Sequence, residues 1–494
     1  PLANTLQSAR LTTSEFKQEA KKFVKGKVSS VDEAIKGAQD ILAERYADLP
    51  REREAIRNSM LRFGSLETKK TKNFDENGTF KNLAGKSEKV AYIPSHRYLA
   101  IMRGVNEKEL SVKITTDIER IQENIKQYKI PRHASTSSDL LFAAYKDGLK
   151  RLLLPSLERE VQAELKEKAD MSAISVFGKN LNQLLMTPPV TKRVILGVDP
   201  AYVSGCKLAV IDENGNYLES AVIYPTEPKN DYNNSKNKVL TLTNKYNITG
   251  VAIGNGTGSR ETQEFFARLN KEENANLNYT VVSEAGASVY SASIIAQAEY
   301  PNLDVTIRGA ISIAQRLRDP MATLVKIDPK SLGIGQYQHD VDQKLLEKKL
   351  DDVTCDLVNR VGVDINSASA SLLSHVAGIG AKIAQNIIDY RKENGNFSTK
   401  SQLLKVKGLG KKAYEQAAGF ITGSRERLPL QQSLPRLAFH GSARRLVSTH
   451  FALVHQIQRT ALEIHAASFP IHQSLHARPS PFTMLVSRLP LHTQ

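Results

Sequence analysis

Two short segments of this chain place glycine, an apolar residue and lysine at a spacing that suits anion binding. Residues 376–380 and 406–410 both read apolar-x-Gly-apolar-Gly, and lysine follows the second glycine within two residues. The glycines permit a tight turn and a close approach of phosphate. The second glycine stands where a helix is expected to begin, so free amides and the positive end of the helix dipole would face the anion. The residues predicted to bind phosphate are Gly378, Gly380, Lys382, Gly408, Gly410, Lys411 and Lys412.

Both segments resemble the helix-hairpin-helix motif, a turn between two helices in which Ile379 and Leu409 would fill the core. Such a turn touches the sugar-phosphate backbone and reads no bases. We therefore expect binding to RNA or DNA that is independent of base sequence and sensitive to salt. A hairpin used only for protein packing is the alternative, but two tandem copies with lysine after each glycine pair favour nucleic acid.

Asp199 and Glu284 are the carboxylates best suited to metal chemistry. Each is expected at the end of a strand, where both can point at one site, and two-metal nucleases hold divalent ions on such groups. A third carboxylate is expected on the last helix, but Arg308 and Gly309 stand there, and Arg308 would repel a metal ion. We assign no catalytic residue, metal ligand or cofactor, and keep Asp199 and Glu284 as remnant candidates. A nuclease using Mg²⁺ or Mn²⁺ at these two residues is the alternative.

A further glycine-rich run, residues 254–262, follows a predicted strand and opens a helix. Free amides at a helix start bind phosphate, but no Lys-Ser or Lys-Thr pair follows the last glycine as a P-loop requires. We expect a tight strand-to-helix turn capped by Thr257 or Ser259, with phosphate binding as the alternative.

The elements that must position these residues change in type along the chain. Helical periodicity runs through residues 12–60 and 90–190, with a polar linker at 69–89, and predicts an all-helical first segment. From residue 194, three strands precede alternating helices and strands, an order typical of an RNase H-like α/β domain. The sequence thus predicts a multidomain, mainly α-helical protein with one central α/β domain. The predicted domains are a helical scaffold at 1–190, the α/β domain at 193–325, a helical connector at 326–363, the paired hairpins at 364–422 and a tail at 424–494.

Composition limits the class of protein. The chain has 494 residues, of which 40% are hydrophobic and 24% charged, and this suits folded domains rather than wholesale disorder. Its net charge of +16 weakly favours a polyanionic partner. We find no apolar run of the roughly 18 residues that would predict a membrane span and no signal peptide. Two cysteines exclude a disulfide framework. These features predict a cytoplasmic protein.

Longer stretches of the chain resemble the Tex family of bacterial transcription accessory proteins. The matching residues are Asp199-Pro200, 254–262 and 283–293 in the α/β domain, 94–97 and 103–107 in the scaffold, and 325–329 and 335–341 in the connector. The resemblance spans roughly residues 1–422 and implies a YqgF-type, nuclease-like fold without secure nuclease activity. Ala201 and Val203 stand where the family usually has Gly and Arg, so the role of that loop does not transfer.

Members of this family usually end in an OB-fold RNA-binding domain, and nothing of that kind follows Gly423. Residues 424–494 hold eight Arg, two acidic residues, no Lys and seven of the eleven His. We expect this tail to lie outside the family sequence, to be low in order, protease-labile and dispensable for folding. We also expect the chain, which begins at Pro1, to be truncated at both ends. A native basic arm is the alternative.

Together these features predict a nucleic-acid-binding transcription accessory protein. The paired hairpins would hold phosphate, and the α/β domain would be catalytically inactive. Two alternatives stay open. One is a metal-dependent nuclease using Asp199 and Glu284, and the other is an interaction scaffold for the transcription or translation machinery.

Overall fold

The computed structural model describes residues 1–131 and 137–422, and these form two compact units. The first unit joins residues 1–187 to residues 320–422, and the second unit is Pro188–Asp319. The tail predicted at 424–494 lies outside the described residues.

The first unit begins with a run of helices whose apolar faces form its core. Ser30 caps one of them as its spacing predicts, because its hydroxyl accepts the amide of Glu33 at 3.1 Å. The helices are α1 Leu2–Ser8, α2 Thr13–Lys21, α3 Val31–Ala47, α4 Pro50–Phe63, α5 Ser95–Asn106, α6 Ile118–Tyr128, α7 Ser138–Asp147 and α8 Leu154–Leu185. Residues Gly148–Leu153 form a π-helical segment between the last two.

A three-stranded antiparallel sheet lies within this helical region, so the prediction of an all-helical first segment is wrong. Its strands are β1 Ser65–Lys70, β2 Ser87–Lys89 and β3 Leu110–Thr115, in the order β2-β1-β3. Only Leu66 and Thr68 of β1 are buried, while Lys69 and Lys70 are exposed. Because β1 and β2 are short and rich in charged residues, their alternation resembles a polar linker in sequence.

The second unit is built on a five-stranded mixed sheet, and its RNase H-like prediction is confirmed. The sheet order is β6-β5-β4-β7-β8, with the β4–β5 and β5–β6 pairs antiparallel and the β4–β7 and β7–β8 pairs parallel. The elements are β4 Ile195–Asp199, β5 Cys206–Ile211, β6 Tyr217–Ile223, α9 Tyr232–Tyr246, β7 Gly250–Gly254, α10 Ser259–Glu273, β8 Asn278–Val282, α11 Ala287–Ser291, α12 Ile294–Glu299 and α13 Val305–Arg318.

Both faces of this sheet are buried, as parallel pairing with helical crossovers requires. One face packs on α9 and α10, and the other packs on α13. Gly197 of β4 sets the distance to α13, because a Cβ at that position would lie 2.1 Å from the carbonyl oxygen of Ala310. Close packing of α13 on β4 brings the N-terminal half of that helix to the strand end that carries Asp199.

From residue 320 the chain returns to the first unit. The elements there are α14 Pro320–Leu324, α15 Gln343–Val361, β9 Val363–Asp364, α16 Ala370–Leu373, α17 Ala381–Asn394, α18 Lys411–Ala417 and β10 Ile421–Thr422, with 3₁₀ turns at Pro329–Ser331 and Lys400–Lys405. Strands β9 and β10 pair in parallel. Ile379, Leu409 and their neighbours form a separate apolar core between the helices.

Within the described residues, no helix combines the length and apolarity needed to cross a lipid bilayer.

Candidate functional site

The two hairpin turns predicted from the sequence have the same backbone conformation. Gly378 and Gly408 adopt left-handed φ angles of 81° and 85°, which L side chains rarely take. The amide that follows each of them donates across the turn, from Ile379 to the Val376 carbonyl at 2.9 Å and from Leu409 to the Val406 carbonyl at 3.1 Å. Ile379 and Leu409 are 2% and 4% exposed. The glycine-dependent turn and its apolar plug are therefore present in both copies.

Each turn packs against the helix that follows the other. A Cβ on Gly378 would lie 2.8 Å from the carbonyl oxygen of Ala413 in α18, and Gly408 faces Asn386 in α17. Asn386 also donates from Nδ2 to the carbonyl oxygen of Lys407 at 2.7 Å. We call this arrangement the reciprocal hairpin pair, residues 376–383 and 406–413. These contacts pack the two turns together in one core.

The second glycine of each turn has no structural reason to be glycine. Gly380 and Gly410 have ordinary φ angles of −80° and −81°. A Cβ at either position would meet no heavy atom within 4 Å. Glycine is also a poorer helix cap than serine or aspartate. What the missing side chains leave is open access to the backbone of the helix start.

That access leads to amides that no side chain caps. Neither Gly380 nor Gly410 supplies a capping hydrogen bond, and the first helical bonds come from the amides of Ala384 and Tyr414. The preceding amides of residues 381–383 and 411–413 thus have no helical acceptor. Helix α17 has 14 residues and carries a useful dipole, whereas α18 has only 7. The second helix therefore has the weaker dipole.

The three lysines predicted to bind phosphate lie in the first turns of α17 and α18. Lys382, Lys411 and Lys412 are all exposed, and none forms an ion pair within residues 1–131 and 137–422. Sequence reasoning missed Lys405 and Lys407, which are exposed beside the second turn. Counting the basic residues on both sides of the glycines would have found them. The second hairpin therefore offers four lysines and the first hairpin one.

In the second unit, Asp199 and Glu284 belong to one site. Asp199 ends β4, and Glu284 lies two residues beyond β8. The Glu284 carboxylate fills the space that side chains at positions 254 and 256 would need, since a Cβ on Gly256 would lie 1.9 Å from its Oε1. The amide of Glu284 also donates to Asn255 Oδ1 at 2.9 Å. The glycine-rich run is thus explained by the carboxylate it accommodates.

The expectation that Thr257 or Ser259 caps the next helix is wrong. Helix α10 begins after Gly258, which has a φ of 87°, and no side chain caps it. The Ser259 hydroxyl is buried without a hydrogen-bond partner in the described residues. Accommodation of Glu284 takes priority over capping at this turn.

The environment of Asp199 disfavours its ionised form. Burial raises the pKa of Asp199 to about 6, with a further contribution from the negative charge of Glu284, and Lys207 opposes both. The Lys207 ammonium itself donates to the carbonyl oxygens of Ser204 and Gly205 at 2.8 and 2.9 Å. The negative charge of Glu284 therefore disfavours ionisation of Asp199 in this partly buried site.

The third position of the site is occupied by Gly309. A Cβ there would lie 3.0 Å from Asp199 Oδ2, so α13 presents bare backbone to the carboxylate. The Arg308 guanidinium, which we expected to repel a metal ion, is held by two backbone carbonyl oxygens. Its Nε donates to the Tyr300 carbonyl at 3.0 Å and its Nη1 to the Ser291 carbonyl at 3.4 Å. Adjacent helical residues point about 100° apart, and Gly309, not Arg308, faces Asp199.

Arg316 is a cation of this site that sequence reasoning missed. Its Nη1 donates to the carbonyl oxygens of Ser283 and Ala285, on either side of Glu284, at 2.6 and 2.8 Å. Burial lowers the pKa of Arg316 to about 10, while the charge of Glu284 acts in the opposite direction. The guanidinium stays charged at neutral pH. Only the rotation of α13 against the sheet, which local sequence does not specify, places it there.

Three family models match the chain in order. Residues 12–177 match the Tex central region-like family, residues 193–318 the Tex protein YqgF-like domain, and residues 358–422 the helix-hairpin-helix motif. The YqgF-like match covers the second unit, and the motif match covers the reciprocal hairpin pair. Both assignments agree with the resemblance seen in the sequence.

Several curated proteins are similar over most of the chain. Uncharacterized protein YdcI of Bacillus subtilis is 43% identical over 404 residues, covering 81% of this chain and 56% of the relative. Transcriptional accessory protein Tex of Neisseria gonorrhoeae is 39% identical over 444 residues, covering 88% and 57%. S1 RNA-binding domain-containing protein 1 of Homo sapiens is 41% identical over 415 residues, covering 81% and 41%.

The chain thus spans little more than half the length of its bacterial relatives. Two Tex family models match residues 12–177 and 193–318, and relatives named Tex are about 40% identical over most of this chain. The chain belongs to the Tex protein family.

Proposed function

We propose that this protein is a transcription accessory factor that binds the backbone of RNA or DNA through the reciprocal hairpin pair. The observation that carries the proposal is the glycine at positions 380 and 410. Neither backbone conformation nor any neighbouring atom demands glycine there. A bound phosphate would explain the glycines, because it must reach the backbone amides at the start of the following helix without meeting a side chain.

Charge and contact chemistry support the same ligand. Five exposed lysines surround the two turns, and no carboxylate pairs with them in the described chain. Amides and lysines recognise phosphate oxygens irrespective of base, so binding is independent of sequence. The names of two relatives, which mention transcription and RNA binding, support a role at the transcription machinery. A scaffold for the transcription or translation machinery is compatible with these residues, but no surface of the two described units favours it over nucleic acid.

Charge reversal at the second hairpin tests the proposal. In Lys411→Glu with Lys412→Glu, we expect affinity for single-stranded RNA and duplex DNA to fall at least tenfold at low salt. On duplex DNA the slope of log K against log salt should become shallower by about 0.9 for each phosphate that the variant no longer neutralises. Fluorescence anisotropy over a salt series measures both quantities.

The matched control reverses two lysines of the first unit away from the hairpins. Lys25 and Lys27 are exposed, so Lys25→Glu with Lys27→Glu changes the net charge equally. We expect it to leave affinity within about twofold. An equal decrease of affinity in both double variants would mean that net charge alone determines binding. The hairpins would then have no specific part in it.

We propose further that the YqgF-like unit does not cleave nucleic acid. Two-metal hydrolysis needs carboxylates around both ions, whereas this site offers two carboxylates, a bare Gly309 and the cations Lys207 and Arg316. These residues do not fit a pair of Mg²⁺ or Mn²⁺ ions, and we derive no metal-dependent step.

An assay with purified protein and either ion should therefore leave labelled RNA and DNA intact. Cleavage that Asp199→Asn abolishes would establish the nuclease alternative at Asp199 and Glu284. Cleavage that survives Asp199→Asn and co-purifies with the protein would also contradict the proposal, and it would exclude Asp199 as the residue responsible.

A further inference from the structure

Three side chains of different chemistry converge beside the first hairpin. Asp351 and Cys355 are four residues apart on α15 and share one face of that helix. His375 follows α16 and directly precedes the turn at 376–380. One ligand atom from each residue lies within 4.8 Å of the other two. Cys355 and His375 are half-buried, and Asp351 is exposed.

The contacts differ from those of a catalytic triad. Cys355 Sγ lies 3.6 Å from His375 Nδ1, and Asp351 Oδ1 lies 3.8 Å from the same nitrogen. A thiol–imidazole–carboxylate relay needs the thiol and the carboxylate on opposite ring nitrogens. Here both approach one nitrogen, as they do when all three atoms share a metal ion.

We propose that Asp351, Cys355 and His375 bind one divalent transition-metal ion, with Zn²⁺ as the natural occupant. Thiolate and imidazole ligands favour zinc over the hard cations Mg²⁺ and Ca²⁺. A tetrahedral zinc ion, with Zn–S of about 2.3 Å and Zn–N of about 2.0 Å, holds sulfur and nitrogen roughly 3.5 Å apart. The observed 3.6 Å separation matches this requirement.

The remaining ligands can complete the coordination without rearranging the backbone. The Asp351 side chain is 66% exposed and has room to move toward the ion. Asp351 and His375 also line a cavity of about 690 Å³, which gives the ion an entry path and room for a water as fourth ligand. Binding converts the Cys355 thiol to a thiolate and releases its proton to solvent.

Asn359 holds the histidine segment in place. Its Nδ2 donates to the carbonyl oxygens of Cys355 and His375 at 2.6 and 3.0 Å, and its Oδ1 accepts the amide of Ala377 at 2.9 Å. These bonds fasten the segment before the first hairpin to α15. They restrict movement of the backbone of His375 relative to that of Cys355.

Cobalt(II) titration of the reduced full-length protein tests the site. We expect a thiolate-to-cobalt charge-transfer band that saturates at one ion per chain and disappears when zinc is added. This readout reports sulfur, so the histidines at 424–494 cannot produce it. Cys355→Ser should abolish the band. Asp351→Asn and His375→Gln should each weaken cobalt binding by at least about tenfold.

Cys206→Ser is the matched control, because Cys206 is the other cysteine of the chain and is 1% exposed in the second unit. It should retain the band. Protection of Cys355 from alkylation by zinc, read on the wild-type protein by mass spectrometry, is a second measurement that needs no variant to fold. Absence of the band, its survival in Cys355→Ser, or alkylation of Cys355 unaffected by zinc would overturn the proposal.

Discussion

At the scale of single residues, the second unit contains a carboxylate that its surroundings destabilise. Asp199 is largely buried, next to Glu284 and opposite a helix that offers no side chain at position 309. The folded-state pKa of Asp199, about 6, exceeds the ordinary value of 3.8. The folded state therefore binds more protons than the unfolded state between these values. The protein's free energy of unfolding therefore falls as pH rises from 3.8 to about 6.

Asp199→Asn should remove this penalty. We expect the variant to be more stable than wild type at pH 7, by about 2–3 kcal/mol. The difference should nearly vanish at about pH 3, below the ordinary pKa of 3.8, where Asp199 is mostly protonated in both states. Urea unfolding of both proteins at the two pH values measures the difference. Greater stability of wild type at pH 7 would show that Asp199 is stabilised by its cationic neighbours instead.

Asp212→Asn provides a control of opposite sign. Burial acts to raise the pKa of Asp212, but hydrogen bonds from Asn216, Asn214 and Gly215 outweigh it and lower the pKa. Asp212→Asn should therefore destabilise the protein at neutral pH, and the difference from wild type should shrink as pH falls through the folded-state pKa.

Some functional residues could be predicted from the local sequence, and others could not. The glycines and lysines of the hairpins follow from a pattern of seven consecutive positions, so sequence alone locates them. The placement of Gly309 opposite Asp199, and of Arg316 beside Glu284, depends on how α13 is rotated against the sheet. That rotation follows from the packing of Gly197 on Ala310, two positions more than a hundred residues apart in the chain.

At the scale of elements, the first turns of α17 and α18 allow the requirements of helix stability and of phosphate binding to be tested separately. Serine at positions 380 and 410 would cap α17 and α18 by accepting a first-turn amide. We expect Gly380→Ser with Gly410→Ser to keep or raise the free energy of unfolding, by a few tenths of a kcal/mol per site. Nucleic-acid affinity should fall because the hydroxyls occupy the amides. Thermal melting and anisotropy on the same preparation check both outcomes.

Gly419→Ser is the corresponding control, because position 419 is exposed, open and away from any helix start. It should bind nucleic acid as wild type does. Undiminished affinity in the double serine variant would mean that the helix-start amides take no part in binding.

The elements that sequence reasoning missed share a physical cause. Strands β1–β3 belong to a small sheet with one buried face, and β1 ends in two exposed lysines. Burial of so few residues leaves a weak alternation that resembles a linker. Strands β4, β5 and β7 of the second unit are buried along nearly their whole length, and their continuous apolar runs made the α/β domain predictable.

At the scale of the whole molecule, segments that are far apart in the sequence fold into one compact unit. Residues 320–422 return to the unit formed by residues 1–187, and the YqgF-like unit is the segment between them. The helical scaffold, connector and paired hairpins, which the sequence separates, are therefore one compact unit. Such grouping depends on interactions across long sequence separations, for example the ion pair between Arg103 and Asp340.

The reciprocal hairpin pair has a consequence for avidity. Because each turn is packed on the helix of the other, the protein interior sets the separation of the two proposed phosphate sites, and little entropy is lost in establishing it on binding. Once one turn has engaged a strand, the second meets its phosphate at a high effective concentration, and the two weak interactions combine multiplicatively. Under the proposed function, a strand whose phosphates cannot span that separation would engage one turn alone, and the pair would discriminate by backbone geometry without reading a base.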